Sequence, residues 1–178
     1  MSGRQHFSVA PWPTTLKVIS SFSTILLIVI GIVAYNKTLL FPGVAHTFGL
    51  GVAFVFPAIL ISSLLFMVTG YAVAGNMLHV ERLLWSTPIS LEGLSRVWEE
   101  PLICKGSIRI FGNGGLYSFT GIYQNKALGR YRLFATDLGK ATVLVLPRRT
   151  VVVTPIAPQV FIDYLHRQFP MIEKNPSV

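Results

Sequence analysis

Two long apolar runs open the chain, and an alternation of apolar and polar residues takes over after them. Val18 to Tyr35 is 18 residues without a charge, and Phe48 to Ala74 is 27. At 1.5 Å per residue the first run makes a helix of about 27 Å, close to the hydrocarbon thickness of a bilayer. A domain this small cannot bury two uncharged helices of that length, so both runs are predicted to span a membrane. Pro57 lies inside the second run, where a membrane helix tolerates it if neighbours satisfy the freed carbonyl. Ser20, Ser21, Ser23 and Thr24 fall in the first half of the first run. There their hydroxyls can bond a preceding carbonyl or face a partner helix. Phe41-Pro42-Gly43 marks the turn between the spans.

Strand patterning begins where the second run ends. Tyr71–Val73 and Leu78–Leu83 read as a hairpin across Gly75-Asn76, with Val80, Leu83 and Leu84 apolar and Glu81 and Arg82 facing solvent. Ile89–Trp98 supplies one or two short strands, with Leu91, Leu94 and Val97 available for a core. Ser107–Phe111 alternates, and Gly112-Asn113-Gly114-Gly115 is predicted to turn into Leu116–Thr120. Arg130–Thr136 reads as a strand with bases on one face. Asp137–Lys140 and Pro147–Arg149 are predicted turns on either side of Ala141–Leu146, and Thr150–Thr154 follows. Val160, Phe161, Tyr164, Leu165 and Phe169 stand at helical spacing between Pro158 and Pro170, predicting a final helix.

About seven short antiparallel strands closed by one helix predict a barrel or sandwich plugged at one end. The expected division is an N-terminal segment over 1–17, a transmembrane hairpin over 18–74, a β domain over 71–170 and a tail over 171–178. The order resembles the pleckstrin-homology fold. It looks in particular like the bacterial membrane-anchored pleckstrin-homology-like families, whose hydrophobic helices run straight into the first strand. The resemblance rests on Tyr71-x-Val73-x-Gly75-x-x-Leu78-x-Val80, on Gly112 through Gly121, on Asn125-Lys126-x-Leu128-Gly129-x-Tyr131 and on Arg149 through Pro155. It covers about residues 71–170. It implies two transmembrane α-helices plus an all-β pleckstrin-homology-like domain with a C-terminal capping helix, in an adaptor-like role. In phosphoinositide-binding members the bases flank the loop between the first two strands. Here that loop, Gly75-Asn76-Met77, carries no base.

Charge divides the chain at the same place. Of 15 Lys+Arg and 7 Asp+Glu, residues 1–74 hold only Arg4, Lys17 and Lys37, and no acid. Arg4 and Lys17 precede the first span and Arg82 and Arg96 follow the second, against Lys37 between them. The positive-inside rule puts both termini in the cytoplasm of a bacterial inner-membrane protein and residues 36–47 outside. The first span is read as uncleaved, because its leader is long and no A-x-A site follows. Neither span carries an ionisable residue, which excludes the usual design of pumps and ion pathways.

Within the domain, Arg109, Lys126, Arg130 and Arg132 are the candidate docking residues, with Gly112, Asn113, Gly114 and Gly115 beside them. Arg130 and Arg132, two apart on a strand, share a face. Such bases fit an acidic partner, an anionic lipid or a small phosphorylated ligand. They also fit ordinary solvated strand positions. The glycine run could cradle a phosphate, but it lacks the order of a nucleotide loop and leads into a strand. Ordinary hairpin geometry explains it equally. Chemistry is thin. Cys104 is the single cysteine, no metal-ligand spacing exists, and Glu99-Glu100 are adjacent carboxylates in a loop. The expectation is therefore a non-enzymatic scaffold without a cofactor. Its partners would be the bilayer and a protein or membrane complex, not nucleic acid; a homo-oligomer stays open.

Overall fold

The computed structural model describes residues 3–38 and 44–172. In chain order the elements are β1 (Gln5–Ser8), α1 (Thr14–Thr38), α2 (Val44–Leu65), β2 (Gly70–Ala74), β3 (Met77–Glu81), β4 (Ser86–Ser90), β5 (Arg96–Glu99), β6 (Ile108–Leu116), β7 (Ser118–Asn125), β8 (Gly129–Ala135), β9 (Thr142–Leu146), β10 (Arg149–Val153) and α3 (Pro158–Gln168). Ten strands form two sheets, one ordered β1-β2-β3-β4 and the other β5-β9-β10-β8-β7-β6. The predicted Phe41-Pro42-Gly43 turn and most of the 171–178 tail lie outside the described residues.

The hairpin at Gly75 forms as its sequence predicts, pairing Ala74 with Met77 and Tyr71 with Val80. Three expectations are corrected. Among the described residues the domain has nine strands, β2 to β10, rather than about seven, β1 adds a tenth from outside it, and they are not all antiparallel. β10 folds back on β9 and then enters the sheet beside β8, to which it runs parallel. The second apolar run is not one helix to Ala74. α2 stops at Leu65, and Gly70–Val73 are buried as a strand flanked by β1 and β3. Arg82, expected to face solvent, is half-buried.

The sequence assigns residues 1–17 to an N-terminal segment and no strand to it. Instead β1 pairs antiparallel with β2, Phe7 beside Tyr71. Past β1, the Ala10 amide donates to the Thr154 carbonyl at 2.8 Å, and Thr136 Oγ1 donates to the Ala10 carbonyl at 2.6 Å. The helical hairpin is thus an insertion between two neighbouring strands of one sheet.

The main core lies between the two sheets and α3. Tyr71, Leu78, Val80 and Ile89 meet Phe134, Leu144, Val151 and Val153, and α3 closes it with Phe161, Ile162 and Leu165. Pro158 starts α3, where its missing amide donor costs nothing. A second cluster of Tyr123, Tyr131, Leu133, Val143 and Val152 buries Cys104 on the other side of the larger sheet. At the crossing of the sheets the fully buried Tyr71 hydroxyl donates to the Phe134 carbonyl at 2.6 Å and accepts from the Thr154 amide at 3.0 Å.

α1 and α2 pack on one another and leave apolar side chains exposed on their other sides, among them Phe22, Ile25, Val29, Val33, Phe54 and Ile61. Among the described residues, α1 is the one helix long and apolar enough to cross a membrane by length and composition. The apolar stretch Gly49–Leu65 of α2 is shorter than that, where two full spans were expected.

Candidate functional site

The four predicted bases do not form one cluster. Along β8, Tyr131 and Leu133 turn inward while Arg130 and Arg132 stay exposed. The parallel register sets Thr150 of β10 beside Tyr131, which brings Arg149, and Arg148 in the turn before it, to the same place. Arg130, Arg132, Arg148 and Arg149, with Ile122 and Tyr131, line a concavity of about 380 Å³. Lys126 lines a different and larger one with Arg96, Trp98, Glu100 and Lys105. Arg109 on β6 lies apart from both; it borders a concavity against the end of α2 and another beside Tyr123 and Cys104. Sequence reasoning missed Arg148 and Arg149. They were visible only as turn residues, because a parallel pairing across an intervening strand leaves no local signal.

The glycine run is not a turn. Gly112–Gly115 sit inside β6, and the chain reverses at Tyr117, which holds φ 67 between Leu116 and Ser118. Nor is the Gly115 amide at its end free for an anion. Asn113 Oδ1 accepts from the amides of Gly115 at 3.2 Å and Leu116 at 2.9 Å, and its Nδ2 donates back to the Leu116 carbonyl. Gly114 leaves room for the Arg109 guanidinium, which a Cβ there would strike.

This hairpin tip is instead a joint to the helices. Ser20 Oγ donates to the Gly115 carbonyl at 3.2 Å and accepts from the Tyr117 amide at 3.0 Å. Thr24 Oγ1 lies 2.8 Å from the Tyr117 hydroxyl, and the Trp12 ring stands 6.0 Å from that of Tyr117. The serines and threonines of the first span therefore do bond a preceding carbonyl, Thr24 to Ser20, but their partner is a β-hairpin rather than a helix. The other leg is clamped by Arg82. Its guanidinium donates to the Phe66 carbonyl at the C-terminal end of α2 and lies between the Phe66 and Phe134 rings, 5.3 and 5.6 Å from their centres. A cation at that end also opposes the helix dipole. Burial pushes the Arg82 pKa down.

A model of the bacterial PH domain matches residues 69–169, more than half of the 178-residue chain. The chain belongs to the bacterial PH domain family. No curated protein and no solved structure matches it. In this chain β1, which lies outside the matched span, adds a strand to the first sheet of the PH domain. Burial pushes the Cys104, Tyr123 and Tyr131 pKa values up, so the thiol is held away from a reactive thiolate. Among the described residues no group of His, Cys, Asp and Glu is arranged to hold a metal ion.

Proposed function

We propose that the chain is a non-enzymatic, membrane-anchored adaptor, whose hairpin crosses the bacterial inner membrane twice and whose PH domain docks a protein partner on the cytoplasmic side. Topology supports the double crossing. Because β1 and β2 are neighbours in one sheet, both ends of the hairpin lie on the same side, and a helix that goes across has to be followed by one that returns. α2 with Phe66 covers that return. Basic residues gather at the domain end, Arg4, Lys17, Arg82 and Arg96, against Lys37 at the far end, as the positive-inside rule requires of a cytoplasmic domain.

The observation that carries the docking role is the free edge of β6. It is the outermost strand of the larger sheet, and Ile108, Ile110 and Phe111 on it are 73%, 48% and 74% exposed. Soluble proteins blunt such edges with charge or cover them. This one has Arg109 alone among apolar residues, and the α1 and α2 joints hold it in a fixed place beside the membrane.

The test is purification of the full-length chain in mild detergent. A stoichiometric complex is expected, lost when Ile108 and Phe111 are both changed to Asp while the folded domain survives. A chain that purifies with bound lipid alone would overturn the adaptor reading.

A further inference from the structure

Four arginines share one small concavity with no counter-charge among the described residues. Arg130 and Arg132 stand on β8, Arg149 opens β10 and Arg148 sits in the turn before it. No acidic residue lines the concavity, and the ion pairs among the described residues involve Glu81 with Arg4 and His6 only. The backbones of Arg130, Arg132 and Arg149 are fixed by ladder pairing on β7, β8, β9 and β10, and Arg148 sits in the tight turn that joins two of those strands. Like charges gathered on a rigid frame repel one another until an anion enters, and the frame keeps them gathered in its absence. Each guanidinium offers a planar fork of donors, stays charged at any physiological pH, and matches the oxygens of a phosphate two at a time.

We propose that this concavity binds a phosphate group carrying two or more negative charges. Such a group comes either on a soluble small molecule or on the headgroup of an anionic lipid. Position favours the soluble carrier. Arg132 pairs with Ile122 and Arg130 with Gln124, four and six residues along β7 from Ser118 at the hairpin tip. At the rise of a strand these are about 13 and 20 Å from the place where the tip meets α1. A headgroup of the same bilayer lies nearer to that joint than the arginines do. The site is separate from the β6 edge, so it stands whether or not a partner docks there.

The test uses the full-length chain in a neutral detergent, with calorimetric titration of inorganic pyrophosphate. In parallel, the chain in neutral-lipid nanodiscs is compared with the chain in nanodiscs containing phosphatidic acid, whose phosphomonoester can carry two charges, by thermal unfolding. Saturable pyrophosphate binding is expected, weakened about tenfold or more by Arg132→Gln with Arg149→Gln, since each removes charge-assisted bonds. Lys126→Gln, on the other concavity, is expected to leave it unchanged. Arg132→Lys with Arg149→Lys, which keeps the charge and loses the fork, is expected to fall between. Stabilisation by phosphatidic acid alone, abolished by the same double substitution, would assign the phosphate to a lipid. Binding of neither probe, or binding indifferent to the double substitution, would overturn the proposal.

Discussion

The Tyr117 hydroxyl lies 2.8 Å from the hydroxyl of Thr24, across 93 residues of chain. One stands on the reversal of a β-hairpin and the other on the third turn of an apolar helix that leaves the domain. With Ser20 bridging the Gly115 carbonyl and the Tyr117 amide, three polar contacts tie the PH domain to its anchor. A tether would need none of them. The arrangement makes the hairpin and the sheet one mechanical unit, with Arg82 and Phe66 as its second fastening.

The joint gives the first prediction. Thr24→Val keeps shape and removes two hydrogen bonds, of which only the one with the Tyr117 hydroxyl crosses to the sheet while the other returns to the Ser20 carbonyl of its own helix, and is expected to cost about 1 kcal/mol. Ser20→Ala strands both the Tyr117 amide and its own contact to Gly115, in a position where Ser20 is buried, and is expected to cost about 2 kcal/mol. Thermal unfolding in detergent ranks the two, and amide exchange should rise at residues 115–118 in both variants.

The Tyr71 hydroxyl gives a pH dependence. Full burial pushes its pKa to about 12 from an ordinary 10, against the hydrogen bond from Thr154. Because the folded value is the higher, the neutral form is the one the fold favours. Its contribution is whole below pH 10 and is lost as pH rises from about 10 to 12, amounting to about 3 kcal/mol. Tyr123 and Tyr131 are raised by burial as well and act in the same direction. Unfolding followed across that window should show the loss, and Tyr71→Phe should flatten part of it while lowering stability near neutrality.

Much of the domain was legible because its strands alternate and its turns are spelled out, as at Gly75-Asn76 and Asp137–Lys140. What was not legible has physical reasons. Tyr71–Val73 reads as a strand and also as the end of the second apolar run, because a fully buried strand is as apolar as a membrane helix; the stop of α2 at Leu65 therefore leaves no mark in the pattern. The glycines of β6 and β7 serve close approach of two backbones rather than a turn, and composition alone does not separate these uses. β1 is four residues long and finds its partner more than sixty residues later. The arginine concavity needs β10 to lie beside β8, a non-local pairing, so only half of its members could be named.

The close approach can be tested directly. Gly112 and Gly121 face one another at φ 115 and 138, and a Cβ on Gly121 would meet the Phe111 carbonyl and stand 2.8 Å from the Gly112 Cα. Gly121→Ala therefore combines backbone strain with a collision against backbone, and is expected to cost about 3 kcal/mol. Gly75→Ala is the contrast. Its φ of 54 is left-handed but a Cβ there meets nothing, so about 1 kcal/mol is expected. Denaturant midpoints of the two variants should differ accordingly; equal effects would mean that turn conformation, not inter-strand contact, explains both glycines.

The pairing of β1 with β2 makes the proposed membrane topology testable. Lys37 is exposed in the last turn of α1, at the end remote from the domain, and Lys126 is exposed on the domain itself. Cys104 is the single cysteine, so a Cys104→Ser background accepts one reporter thiol at a time. In intact cells with a permeable outer envelope, an impermeant thiol reagent should label Lys37→Cys and spare Lys126→Cys until the inner membrane is opened. Labelling of both from outside would mean that the hairpin lies on the membrane rather than across it. Labelling of Lys126→Cys alone would place the domain on the outer side. Only the first pattern fits a hairpin that leaves one sheet, crosses, and returns to the neighbouring strand of that sheet.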